Sequence, residues 1–254
     1  MRFKFKIRNE MRVALMLLLV AGLVAFADRN VRNQICRDIV VRLDNVHENH
    51  FLDESDVLRL VESGESRLRN RPFFEIGFSE IEERLERQRN LREAQVFHDF
   101  EGNLVVNVSL RRPMARLVQE QGSDAYLSEE GVIMPVSERY SSRVVVISGG
   151  YVRKAMLSKR IDQDETGRRI MELLRFIRED EFWNAQIAEV RIHESGKVDL
   201  YPQVGSQVIA LGKPDDLEDK FFRLKVFFKE ILPRQGWNRY TRVSLEYAGQ
   251  VVAK

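Results

Sequence analysis

The feature that most constrains this chain is its start. Five basic residues, Arg2, Lys4, Lys6, Arg8 and Arg12, lead into an uncharged apolar run from Val13 to Ala27, and no other stretch is as apolar. Such a segment reads as a membrane-targeting element that delivers the rest of the chain to the far side of a membrane. Two elements fit it. A spanning helix wants about 17–25 apolar residues, and this run reaches the short end of that range with its flanks. A secretory signal has a basic start, a short apolar core and a small-x-small cleavage site, which Ala25-Phe26-Ala27 supplies. Both leave the N-terminus in the cytoplasm. Cys36 follows Asn33-Gln34-Ile35, which lacks the small residues of a lipid-attachment site, so it reads as a plain thiol.

Beyond the run the chain has ordinary soluble patterning. Apolar residues make up 44% of the whole, charged residues 31%, and the formal net charge is +2, so no nucleic-acid stripe is implied. One cysteine excludes an intrachain disulfide framework. A chain of 254 residues is long enough to bury two cores without one.

The first soluble block is read as residues 37–117. Ile39, Val41 and Leu43 alternate with Val40, Arg42 and Asp44 and predict a strand. Asp53-Glu54-Ser55-Asp56 suits a helix N-terminus and precedes Val57, Leu58, Leu60 and Val61. After a turn-rich gap, Ser79-Glu80-Ile81-Glu82 matches a capping box opening a second helix, with Ile81 and Leu85 on its buried side. Residues 94–100 and 104–110 flank Glu101-Gly102-Asn103, a hairpin signal. The expected order is strand, helix, helix, strand, strand.

The second block, residues 118–254, reads as a strand-rich mixed α+β domain. Val144 to Ile147 predicts a short strand closed by Gly149-Gly150. Asp162 to Glu165 caps a helix that buries Ile170, Leu173, Leu174 and Ile177. A hairpin is expected around Ser195-Gly196, and another strand at residues 207–211. Leu217, Phe221, Leu224, Phe228 and Ile231 predict one amphipathic helix stopped by Pro233 and Gly236. Val243, Leu245 and Tyr247 alternate with Ser244 and Glu246 in a terminal strand running to Val252.

Neither a catalytic nor a cofactor constellation stands out, and no metal or cofactor is expected. His47 and His50 share one loop without a third ligand nearby, and His98 and His193 lie apart. Ile147-Ser148-Gly149-Gly150 lacks the preceding glycine of a nucleophile elbow and reads as a turn rather than a strand-to-helix corner. No phosphate loop or dinucleotide fingerprint is present. The expectation is a protein that binds rather than catalyses.

The βααββ order directly behind an N-terminal membrane segment resembles a POTRA domain. The resemblance continues through Pro113 and Ala115, then Tyr126 to Pro135 with Gly131 and Pro135 in place, which is similar to the bacterial cell-division family FtsQ/DivIB. Phe182-Trp183, residues 202–205 and residues 237–247 resemble signature stretches of that family's β domain. The match departs at Leu110, where the family usually carries an acidic or amide residue. The resemblance implies a cytoplasmic tail at residues 1–12 and an uncleaved transmembrane anchor at 13–30. It implies a POTRA-like domain and a β domain in the periplasm, within a single-pass inner-membrane divisome scaffold that links early and late division proteins at the septum. An exported POTRA module serving outer-membrane protein assembly or secretion is the alternative, but that class usually carries several such units or a C-terminal barrel.

The terminal strand reads two ways from its residues. It is either an ordinary core strand with Tyr247 packed inward, or an edge strand whose unpaired backbone accepts a partner strand. The resemblance favours the edge. It implies recruitment of FtsB-like and FtsL-like division proteins, alongside other divisome components. The expected contact residues are Val243, Ser244, Leu245, Glu246, Tyr247, Gly249 and Val251, with Tyr247 as a flat contact and Gly249 as a point of close backbone approach.

Overall fold

The computed structural model describes residues 14–22, 34–44, 50–64, 67–137 and 139–254. Residues 14–22 form helix α1, with Leu15 to Val20 exposed. No helix among the described residues is long and apolar enough to cross a membrane. The rest of the expected 13–30 anchor, the cleavage motif at 25–27, the tail at 1–12 and His47 lie outside the described residues.

The chain divides into two compact units. The first holds residues 53–109 and the stretch up to Asp44; the second holds residues 45–52 and 110–254. In the first unit the order is β1 (Ile39–Asp44), α2 (Glu54–Glu62), α3 (Phe78–Glu86), β2 (Leu91–His98) and β3 (Leu104–Leu110), with a 3-10 turn at Phe73–Glu75. The βααββ expectation holds. The strands form a three-stranded sheet ordered β1-β3-β2, and β1 runs parallel to β3. Asp53 caps α2: its carboxylate accepts the Asp56 N–H at 2.8 Å, and the Asp56 carboxylate accepts the Asp53 N–H at 3.1 Å. Val57 and Val61 of α2 and Ile81 and Leu85 of α3 are buried.

The capping box expected at Ser79 is absent. The N-cap of α3 is Gly77, so Ser79 already lies inside the helix. Glu82 reaches away instead and accepts the Val96 N–H of β2 at 2.7 Å. A carboxylate that finds an unsatisfied strand N–H is not available to its own helix end.

The second unit is built on a nine-stranded mixed sheet, β12-β11-β10-β9-β8-β7-β4-β5-β6. Its strands are β4 (Pro113–Leu117), β5 (Ala125–Ser128), β6 (Ile133–Pro135), β7 (Val145–Ser148), β8 (Ile187–Ile192), β9 (Val198–Pro202), β10 (Val208–Gly212), β11 (Arg242–Ser244) and β12 (Val252–Ala253). The helices are α4 (Gly150–Met156), α5 (Glu165–Glu179), α6 (Glu181–Gln186), α7 (Leu217–Val226) and α8 (Leu232–Gln235). Residues 113–117, read from the sequence as the end of the first block, belong here: β4 pairs with β5 and β7. Alternation alone does not tell a strand which sheet it joins.

Strand periodicity puts Val190, Val198, Leu200, Ile209, Leu211, Val243 and Leu245 in one core with Ile170, Leu173, Leu174 and Ile177 of α5 and Phe221 and Leu224 of α7. Trp183 of α6 is the largest fully buried side chain and meets Phe182, Phe221 and Phe228 edge-on, with centroids 4.8, 5.1 and 5.8 Å away. A smaller cluster, Phe51, Tyr126, Val132 and Met134, includes the T-shaped pair Phe51–Tyr126 at 4.9 Å.

Two helix expectations change. The segment after Ser148 is a strand-to-helix corner, because Gly150 opens α4, a short helix that buries Tyr151, Val152 and Ala155. The helix from Leu217 runs past Pro233, the first of its two expected stop residues, to the second. It passes through a π segment, Phe227–Ile231, in which the Leu232 N–H bonds the Phe227 carbonyl five residues back, and ends at Gly236. The wider turn lets the chain reach a proline near the start of α8, where a missing N–H costs little. The phase shift also leaves Ile231 39% exposed, although the sequence pattern assigns it to the buried face.

Candidate functional site at the terminal sheet edge

The C-terminal segment is not one strand. Val243 pairs with Ala253 and Ser244 with Val252, antiparallel, while β11 also pairs in parallel with β10 through Val208↔Arg242 and Ile209↔Val243. Thus β11 is flanked on both sides, and β12 forms the border of the sheet. The reversal between them is a β-turn over residues 247–250, closed by the Gln250 N–H donating to the Tyr247 carbonyl at 3.3 Å. Gly249 sits at the third turn position with φ +67, the left-handed conformation that a type II turn demands there.

Backbone polarity at this border follows from the register. Arg242 and Lys254 exchange both hydrogen bonds, N–H to C=O at 3.0 and 3.1 Å. Antiparallel ladders alternate bonded and non-bonded pairs, so Val243↔Ala253 is a non-bonded pair. The N–H and C=O of Ala253 therefore point away from β11. These are the groups a partner strand would use.

The seven sequence-selected residues are distributed unevenly around this edge. Val243 and Leu245 are fully buried, and the Leu245 N–H is spent on the Ala210 carbonyl at 2.9 Å. Both belong to the core, not to an exposed contact surface. Ser244 is half-buried and faces β12. Glu246 is tied to Lys197 at 2.8 Å; that bond holds its carboxyl below the ordinary carboxylate value and raises the ammonium above its own. Tyr247 is 60% exposed, so it is not packed inward. Gly249 has open space around it: a Cβ there would meet nothing within 4 Å. Its glycine serves the positive φ rather than a close backbone approach. Val251 packs partly against the core from the border strand.

The sequence pattern did not single out Ala253 or Arg223. The glycine at the third position of Tyr247-Ala248-Gly249-Gln250 is the signal that divides the segment into two strands. Nothing in the sequence marks Arg223, whose role depends on a contact 24 residues away.

Elsewhere the polar clusters are engaged with themselves. A surface cleft of about 720 Å³ is lined by Ser148, Gly149, Arg153 and Arg191, among others. There the Ser148 hydroxyl donates to Glu189 at 2.5 Å and accepts from Arg191 Nε at 3.3 Å. The His193 imidazole is turned to Asp199 instead, at 3.1 Å. Asp199 also accepts from Arg242 at 3.4 Å. His50 meets Tyr140 edge-on at 5.4 Å. Among the described residues no three His, Cys, Asp or Glu side chains gather as metal ligands.

Comparison with known families agrees with this architecture. Residues 34–109 match the POTRA-like domain, and residues 112–254, more than half of the chain, match the family FtsQ/DivIB, C-terminal related. The chain belongs to the FtsQ/DivIB family. That places it among cell-division proteins and accounts for a POTRA-like unit followed by a strand-rich unit. The boundary between the two matches falls between residues 109 and 112, just before β4. No curated protein matches the chain.

Proposed function

We propose that this protein is a non-enzymatic, single-pass inner-membrane scaffold of the bacterial division machinery that binds partners by strand addition at β12. Its N-terminal tail lies in the cytoplasm and both folded units lie in the periplasm. It links early and late division proteins during septum formation, with FtsB-like and FtsL-like proteins as the direct partners.

One observation carries this reading: β12 closes the sheet of a family member with a two-residue strand whose outward N–H and C=O groups meet no further strand. Tyr247 stands exposed at the adjoining turn, a flat amphipathic surface of the kind enriched in interfaces. The basic start and apolar run supply the tether.

The test is Ala253→Pro. Proline removes the outward N–H at 253 and spares the inward bonds at 254. The variant is expected to keep its circular dichroism and lose capture of the FtsB-like partner. A chain ending at Gln250 is expected to behave the same way. Normal capture by both would overturn strand addition. For the tether, the intact mass of protein extracted from membranes is expected to be that of the uncleaved chain; a mature N-terminus at Asp28 would overturn the single-pass reading.

A further inference from the structure

Arg223 lies in the middle of α7, and its side chain is only 12% exposed. Its Nη1 donates to the Tyr247 carbonyl at 3.1 Å and also to the Gln250 carbonyl. Asp219, one turn earlier on α7, holds Nε at 2.9 Å and Nη2 at 2.7 Å. The guanidinium is thus fixed on one side by a carboxylate and grips the first and last residues of the β-turn on the other. A guanidinium stays charged at every accessible pH, and its planar fork serves several acceptors at once.

This matters because β12 has little of its own to hold it. It is two residues long, and its bonds to Thr241 and Arg242 gather at one end, on Lys254. Val251 and Ala253 pack partly on the core, and at its other end the chain enters β12 through the turn, whose first and last carbonyls both accept from Arg223. The bonds go to the inner side of the turn, not to the outward edge.

We propose that Arg223 is a positioning residue for the docking edge: it holds β12 in the orientation that accepts a partner strand, without touching that strand. The proposal rests on the strand-addition reading above.

The experiment uses the full chain and its variants Arg223→Ala, Arg223→Lys and Asp219→Asn. The first readout is amide hydrogen exchange at Thr241, Arg242 and Lys254, whose N–H groups make the β11–β12 bonds. Val190 and Leu200 in the buried strands serve as references. Arg223→Ala is expected to speed exchange at the three edge amides about tenfold or more, as for loss of a charge-assisted hydrogen bond, and to leave the references unchanged. Lysine keeps the charge but not the fork, so Arg223→Lys is expected to restore part of the protection. Asp219→Asn is the gentler variant should alanine disturb the references, and a smaller change in the same direction is expected from it.

The second readout is affinity for the purified FtsB-like partner, expected to weaken about tenfold in Arg223→Ala through faster dissociation. Unchanged edge exchange in both Arg223→Ala and Asp219→Asn overturns the proposal. Faster edge exchange with unchanged affinity also overturns it. If Ala253→Pro abolishes binding in that case, strand addition stands and only the role of Arg223 falls; if Ala253→Pro binds normally too, strand addition itself falls.

Discussion

The Lys197 ammonium, just before β9, lies 2.8 Å from the Glu246 carboxylate just past β11, so the bond crosses the end of β10 between them. Gly212 makes room for it. A Cβ at 212 would stand 2.7 Å from Glu246 Cγ, and φ there is +75. The turn leading to β12 is therefore pinned twice, by Lys197 through a side chain and by Arg223 through main-chain carbonyls.

The first pin has a defined pH range. The Lys197 hydrogen bond lowers the Glu246 carboxyl from its ordinary 4.5, and the same bond raises Lys197 from 10.5. A lowered carboxyl contributes stability above its unfolded value and loses it as pH falls through the lower folded value. A raised ammonium contributes below its unfolded value and loses it as pH climbs through the higher folded one. Between about pH 5 and pH 10 the pin is constant. Urea midpoints of the wild type and Glu246→Gln are thus expected to differ by a fixed small amount across that range and to converge in stronger acid. An undiminished gap in strong acid would contradict the assignment.

Gly249→Ala tests the turn. No atom obstructs a Cβ at 249, so the cost is conformational alone, about 1–2 kcal/mol for a left-handed alanine. Asparagine visits that region more readily, and Gly249→Asn is expected to cost less than alanine. Denaturant midpoints at constant m-value measure both.

Trp183→Ala removes the centre of the larger core. Trp183 is 1% exposed and meets three phenylalanine rings. The expected loss is about 3–5 kcal/mol, read from urea unfolding of the strand-rich unit. Amide protection at Leu104 and Val106 of the POTRA-like unit is expected to stay as it is, because they are buried in a different unit.

Asp53→Ala removes the side-chain half of a reciprocal cap. The Asp56 N–H loses its acceptor while the Asp53 backbone N–H keeps the Asp56 carboxylate, and the expected cost is about 1 kcal/mol. Asp53→Ser keeps an acceptor at the N-cap and is expected to recover most of it, as thermal unfolding followed by helical circular dichroism will report.

The sequence by itself determined the elements whose cause is local. Alternation of Ile39, Val41 and Leu43 made β1, the Asp53–Asp56 pair started α2, and the spacing of Ile170, Leu173, Leu174 and Ile177 laid down the buried stripe of α5. The βααββ order and the strand-rich second unit follow from such signals. Local signals also misled: Glu82 left its helix for the distant Val96, and a π turn carried the chain past Pro233 to the second expected stop, Gly236. Only the tertiary structure decided which strand borders the sheet. Side-chain periodicity groups Val243, Leu245 and Tyr247 on one face, although Val243 and Leu245, expected as contacts, are core and Tyr247 is exposed. It is silent on which N–H and C=O groups stay unpaired, because that depends on neighbours brought from elsewhere in the chain: β10 on one side of β11, β12 on the other, and the Arg223 guanidinium under the turn that joins them.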